Sequence, residues 1–532
     1  MHNLSLLGLL AVPLIGSLVI FAMPGGGEDG GGEDNQARQH TVAKQTALVF
    51  SVLTFVYAVV LAFQFKTGPD SSRFQFQGSW VWIRDLGVHF AFGLDGIALV
   101  LILMSTLLVP CVVLASWNSF DTVEDAEDAV PSKRSAKAYF GLLLLLEVFM
   151  VGVFAATDIF LFYVFFEAML VPMYFIIGSF GGPRRQYAAV KFFLYSLVGG
   201  LLMLASVIGL YVSSGTASFA FSDLVGHVPG GATQKWLFLG FFIAFAIKAP
   251  LFPFHTWLPD AGAEAPAGGA ALLVGVLDKV GTFGFLRYCL PLFPEASRYF
   301  AKTILILSVI GVLYAAFLAM GQRDMKRLVA YTSVAHFGFI GLGIFAFTTQ
   351  GGTGAVLYMV NHGLATGLLF IVVGFVVARG KSRQIGDYGG TAKVTPRLGG
   401  AFLIAGLAAL ALPGLSTFIS EFLTLVGTFV RYKALAIIGT TGIILAALYV
   451  LLLYQRTMQG AVLDKVRAFR DLNARETFAI APLIILIIAL GVYPKPITDI
   501  INPAVNYTMH DVGKTDPQPQ NVAQHSPNGG HK

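Results

Sequence analysis

Residues 240–261 read GFFIAFAIKAPLFPFHTWLPDA, an apolar run with Lys248 inside it and Pro250 and Pro253 directly behind. A bilayer crossing needs about 20 mostly apolar residues, and this run is of that size. A charge at the centre of such a helix costs about 2.5 to 3.5 kcal/mol on insertion scales, so Lys248 needs a partner, water or a function. Proline removes a backbone donor and frees a carbonyl, which a membrane tolerates where the interruption lines a polar cavity. The stretch reads as a broken transmembrane helix with an ionisable group at its break.

The rest of the chain has the same character. Its 532 residues are 56% hydrophobic and only 12% charged, against about 25% charged in soluble domains. That excludes a soluble enzyme, a disordered chain and a secreted disulfide scaffold. Fourteen runs qualify as spans, near 4–23, 44–66, 95–117, 136–156, 158–179, 186–213, 235–257, 266–289, 301–320, 327–347, 354–378, 398–430, 435–457 and 477–496. The first run lacks a basic segment ahead of it, so it is expected to stay as an uncleaved span. The expected fold class is an all-α integral membrane protein with about 14 transmembrane helices.

Cys111 and Cys289 stand alone in apolar stretches, so the cysteines build no zinc or iron–sulfur site, and redox chemistry must lie elsewhere. No nucleotide loop of the form GxxxxGK[ST] is present. His510, His525 and His531 are spaced too widely to argue for a metal site. The 35 basic residues against 29 acidic ones lie mostly between the hydrophobic runs. There they orient helices among lipid and imply no nucleic-acid partner. With both termini outside, the inner loops hold twenty Lys and Arg against twelve in the outer ones, Arg287 among these. That asymmetry predicts termini on the outer side.

Four regions are expected. Residues 1–135 carry three spans, a Gly/acid loop (25–34, GGGEDGGGED) and a segment at 67–94 suited to the interface through Trp80, Trp82, Arg84 and Asp85. Residues 136–300 and 301–460 each hold five spans, and residues 461–532 the last span and a polar tail expected to be disordered from about 510. In the second group Pro413 and Gly414 interrupt LALPGLSTFISEF (410–422). That break falls in the fourth helix of its unit, as the break behind Lys248 does in the first. Five is odd, so the second unit enters the membrane inverted, and inverted repeats with discontinuous helices are a transporter architecture.

Ionisable residues mark the spans: Glu147, Glu167 in FYVFFEAMLVPMYF, Lys248, Asp278 and Lys279 in LVGVLDKVGTFG, His336 in YTSVAHFGF, His362 in MVNHGLATG, and Glu421. Most lie ten to fourteen residues from a span end, at one depth. A vertical channel would spread them from face to face; these suit lateral proton transfer, with Glu167 paired to Lys248 and the histidines relaying from Lys279 toward Glu421. The bland readings are a Glu–Lys helix clamp, histidines satisfied by backbone carbonyls, or a haem held by His336 and His362. Lys191, near a span end, is expected to snorkel to the headgroups. Asp278 directly precedes Lys279, and helix neighbours diverge, so it needs its own partner or a proton.

FYVFFEAMLVPMYF, GFFIAFAIKAPLFPFHTWLPDA, DMKRLVAYTSVAHFGF and LALPGLSTFISEF closely resemble the antiporter-like membrane subunits of respiratory complex I. Among these the chain resembles the subunit M branch of bacterial NADH–quinone oxidoreductase, similar to chain 4 of the mitochondrial enzyme. The resemblance covers roughly residues 90–460. It implies that Glu167 and Lys248 match the family's pair, Lys279 its central lysine, Glu421 its terminal carboxylate and His336 and His362 the polar axis between. It further implies that FMN, iron–sulfur clusters and quinone reside in partner subunits, that this chain holds no cofactor or metal, that L-type and N-type subunits are its neighbours, and that it sits in a bacterial plasma membrane. Glu421, where the sister subunits and Mrp-type antiporters typically carry Lys, favours the M branch. A stand-alone cation/proton antiporter and a passive spacer are the alternatives. Gly262, Ala267 and Ala270 replace the family's usual imidazole and hydroxyls, and Asp278 replaces an apolar residue.

Overall fold

The computed structural model describes residues 4–23, 33–68, 71–120 and 135–517. Most of the Gly/acid loop, His525 and His531 fall outside these residues, although the helix that follows the loop already begins at Glu33. In chain order the long helices are α1 (Ser5–Ala22), α2 (Glu33–Gln64), α3 (Gly96–Ala115), α4 (Ala136–Ala155), α5 (Ile159–Ala168), α6 (Leu170–Phe180) and α7 (Arg185–Ser214). The middle of the chain forms α8 (Ala232–Lys248), α9 (Trp257–Glu264), α10 (Ala267–Leu292), α11 (Pro294–Met320), α12 (Met325–Phe345) and α13 (Thr349–Gly380). Then come α14 (Pro396–Ala409), α15 (Ser416–Arg431), α16 (Lys433–Met458), α17 (Ala474–Val492) and α18 (Lys495–Asp511).

Side-chain caps start several spans where the chain enters the apolar layer. Asp95, Asp158, Asp324 and Thr348 accept from backbone N–H groups of the first turns of α3, α5, α12 and α13. Each satisfies an end donor that lipid could not. Among the described residues twelve helices are long and apolar enough to cross a membrane, α5 and α6 counting as one. The other two expected spans are the broken ones. α8 stops at Lys248, just ahead of Pro250, and α14 stops at Ala409, so that α15 resumes only at Ser416. Between them Ala411 and Gly414 adopt positive φ, 58° and 93°.

Two features add detail to the mostly helical fold. The segment expected at the interface contains an antiparallel hairpin, β1 (Gln75–Ile83) and β2 (Val88–Leu94). Its turn needs Gly87: φ is +66°, and a Cβ there would lie 2.3 Å from the Ala217 carbonyl. The last region also contains α18, an amphipathic helix that buries Ile501, Ala504, Val505, Thr508 and Met509. It reaches into the stretch expected to be disordered from 510. α10 and, apart from its ends, α13 are enclosed and form the axis of the bundle, flanked by α3, α12 and α15, whereas α2, α7 and α16 expose apolar side chains as lipid-facing helices do.

Candidate functional site

Around α8 the site is open. Glu167 lies at the end of α5, two residues before that span is interrupted at Met169. Its carboxylate occupies space that only glycine leaves on α7, since a Cβ on Gly200 would fall 1.7 Å from Oε1. The Lys248 ammonium is buried and lies 4.6 Å from the centre of the Phe166 ring. Neither Nζ nor Glu167 Oε1 has a hydrogen-bond partner. Among the described residues no ion pair within 4.0 Å joins the two, although each feels the other's charge. The expected contact is therefore open, and the aromatic face takes the place of the carboxylate beside the ammonium.

Around α10 and α13 the site is closed. α10 contains two π-helical turns, Leu273–Leu277 and Phe285–Cys289, and Lys279 follows the first. Such turns widen a helix and are frequent at functional positions. The Lys279 side chain curls back along its helix and donates to the Val274 carbonyl at 2.5 Å, while Nζ lies 2.6 Å from His362 Nδ1. An ammonium has only donors, so His362 Nδ1 accepts and its Nε2–H points to Ser333 Oγ, 3.1 Å away. The rings of His362 and His336 lie 5.0 Å apart. Beyond them His336 Nδ1 is 3.1 Å from the Tyr358 hydroxyl, which donates to Glu421 Oε2 at 2.8 Å. With that proton committed, His336 Nδ1 carries the hydrogen that Tyr358 accepts.

Asp278 corrects a geometric expectation. Its Oδ1 stands 2.9 Å from Lys279 Nζ even though the residues are adjacent, because the lysine arm folds back across the preceding turn instead of following its own Cα–Cβ direction. Glu147 stays apart, fully buried with neither carboxyl oxygen hydrogen-bonded. Tyr358 and Ser333 were missed by sequence reading. Their spacing offered a signal: Tyr358 is four residues before His362 and Ser333 three before His336, the same helix faces.

Near the start of α7, Lys191 does not snorkel. It pairs with Asp260 of α9 at 2.6 Å, and Asp260 also takes Arg327 of α12 at 2.5 Å. Burial opposes the Asp260 charge, but hydrogen bonds from the two cations outweigh it and hold its carboxyl below the usual range. Arg287, expected in an outer loop, is buried in α10 and pairs with Asp95 at 2.7 Å.

Residues 156–447 match the family model described as NADH:quinone oxidoreductase/Mrp antiporter, TM. The NADH-quinone oxidoreductase subunit M of Mycobacterium tuberculosis is 48% identical, over 98% of this chain and 96% of that protein. The chain belongs to the subunit M family. Its relative of the same description in Rhodobacter capsulatus is 39% identical over 88% of this chain and 91% of that one. A chain of respiratory complex I from Thermus thermophilus superposes with a TM-score of 0.82, 31% identity and coverage of 97% and 100%. A chain of the Mrp complex from Dietzia superposes at 0.80 with 19% identity over 96% and 99%, a likeness of fold. As a subunit M family member the chain is a multi-pass membrane component of a multi-subunit respiratory complex.

Proposed function

We propose that the chain moves protons laterally through the membrane interior, from Glu167 and Lys248 to Lys279, His362, His336, Tyr358 and Glu421, driven by quinone reduction elsewhere in an NADH–quinone oxidoreductase. The observation that carries this reading is a pair of hydrogen-bonded segments, Lys279–His362–Ser333 and His336–Tyr358–Glu421, whose two imidazole rings lie 5.0 Å apart, built across α10, α12, α13 and α15 in a buried apolar interior. Buried polar groups of this kind are costly unless partnered, and a line that runs from an ammonium donor through imidazoles and a phenol, which can both accept and donate, to a carboxylate acceptor is suited to carrying a proton from one end to the other.

The open end supplies control. A lysine without a hydrogen-bonded partner and a carboxylate with a free oxygen can be joined or parted by a small rearrangement of two interrupted helices. Joining them favours both charges, and parting them favours proton transfer onward. The chain itself is non-redox in this reading; FMN, iron–sulfur clusters and quinone belong to partner subunits, with L-type and N-type subunits as membrane neighbours. Both termini face outward from a bacterial plasma membrane, and residues 136–300 and 301–460 act as inverted halves.

The test is NADH-driven proton uptake by vesicles carrying the assembled complex. Lys248→Ala and Glu421→Gln are expected to abolish most uptake while the complex still assembles. Normal uptake by both variants would leave a structural spacer as the better description.

A further inference from the structure

Lys279 and Asp278 face different elements. Thr282, one turn beyond Lys279, donates to Met359 on α13 at 2.7 Å, and Lys279 itself reaches His362 on that helix. Gly281, one turn beyond Asp278, abuts α8: a Cβ there would lie 2.4 Å from the Phe245 carbonyl and 2.6 Å from Ala249 Cβ. Positions three apart share a helix face. By that spacing Asp278 stands at a position of α10 on the face that meets the helix of Lys248, with its carboxylate reaching the Lys279 ammonium, whereas that ammonium reaches the histidines. Both groups are completely buried. The carboxylate has the ammonium 2.9 Å away as its charge partner, and that ammonium also serves Val274 and His362.

We propose that Asp278 is a further proton-carrying residue, the acceptor through which protons reach Lys279 from the first half of the molecule. The inference rests on the proton-transfer reading above. A proton arriving from the α8 side binds Asp278 Oδ and turns the carboxylate into a carboxylic acid. Lys279 loses its counter-charge and passes one proton from Nζ to His362 Nδ1, giving neutral amine and imidazolium. The acid then returns its proton to the amine and restores the ion pair. One proton has moved from the α8 side to His362, with no other change. Without Asp278, direct departure of the lysine proton lacks this coupling to the next arrival, and a buried charge is strongly disfavoured once its partner is gone.

The experiment uses the assembled complex in vesicles, with uptake measured per NADH oxidised, alongside NADH-induced infrared difference spectra in the carbonyl-stretch region of protonated carboxylic acids. Asp278→Asn is expected to lower uptake by about tenfold or more and to erase one carboxylic band, whereas Asp278→Glu keeps most of the uptake and shifts that band. Normal uptake with an unchanged spectrum in Asp278→Asn overturns the proposal. If that variant does not assemble, Asp278→Glu decides: a shifted band supports the role, an unmoved one overturns it. Lys279→Met separates the two levels. Normal uptake there defeats the proton-transfer reading itself, while loss there with normal uptake in Asp278→Asn defeats the role of Asp278 alone.

Discussion

The two halves of the site use similar side chains in opposite conditions. Between α5 and α8 a half-buried carboxylate and a buried ammonium stand without a hydrogen bond between them, one against a glycine and the other against a phenyl face. Between α10 and α15 the side chains join at hydrogen-bonding distances on either side of two imidazole rings that lie 5.0 Å apart. The difference teaches where the barrier lies. A closed line transmits a proton but offers little to regulate, whereas an open pair can be made and unmade. In the proton-transfer reading proposed above, gating therefore belongs to the first half and conduction to the second.

The largest expected effect breaks the hub of the closed half. Lys279→Met removes every donor at the centre of the line, and uptake should fall by about a hundredfold at that step, checked by pH-dye quenching in vesicles at matched complex content. Tyr358→Phe keeps the ring and deletes the single hydroxyl that joins His336 to Glu421. Losing one buried link costs about 1–3 kcal/mol, so uptake should drop roughly tenfold; an unchanged rate would mean that protons reach Glu421 by another route. Gly200→Ala probes the open half, where the added methyl must displace the Glu167 carboxylate. Such overpacking costs about 1–3 kcal/mol, and thermal unfolding of the complex should report it together with reduced uptake.

The smallest effect concerns the Asp260 clamp. Asp260→Asn should leave uptake nearly intact and destabilise by under about 1 kcal/mol, as for partly exposed ion pairs. Because its cations lower the Asp260 pKa, the stabilisation is fully present above the unfolded value near 3.9 and is lost as pH falls through the folded value below it. Wild type and variant should therefore differ in melting temperature at neutral pH and converge in strong acid.

Much of the site was legible because charge in an apolar run is conspicuous. Lys248, Lys279, His336, His362 and Glu421 announce themselves by cost, and the prolines behind Lys248 and ahead of Glu421 announce the breaks. What stayed hidden has ordinary side chains or depends on backbone detail. Tyr358 and Ser333 look like core residues until the opposite helix is in place. The contact of Asp278 with Lys279 depends on an arm folded back beside a π turn, which no periodicity rule encodes. Lys191 sits where snorkelling is the default, and only the fold brings Asp260 to it. The hairpin at β1 and β2 was obscured because its aromatic residues suit an interface as well as a strand.

Asn361, the residue before His362, donates to the Ser416 carbonyl at 2.7 Å and lies 3.3 Å from Ser420 Oγ. Its amide thereby bolts the elbow of α15 to the rod that carries the imidazole. If that elbow swings to re-aim Glu421, the bolt must either drag α13 along or shear, so Glu421 and His362 are mechanically geared to one another.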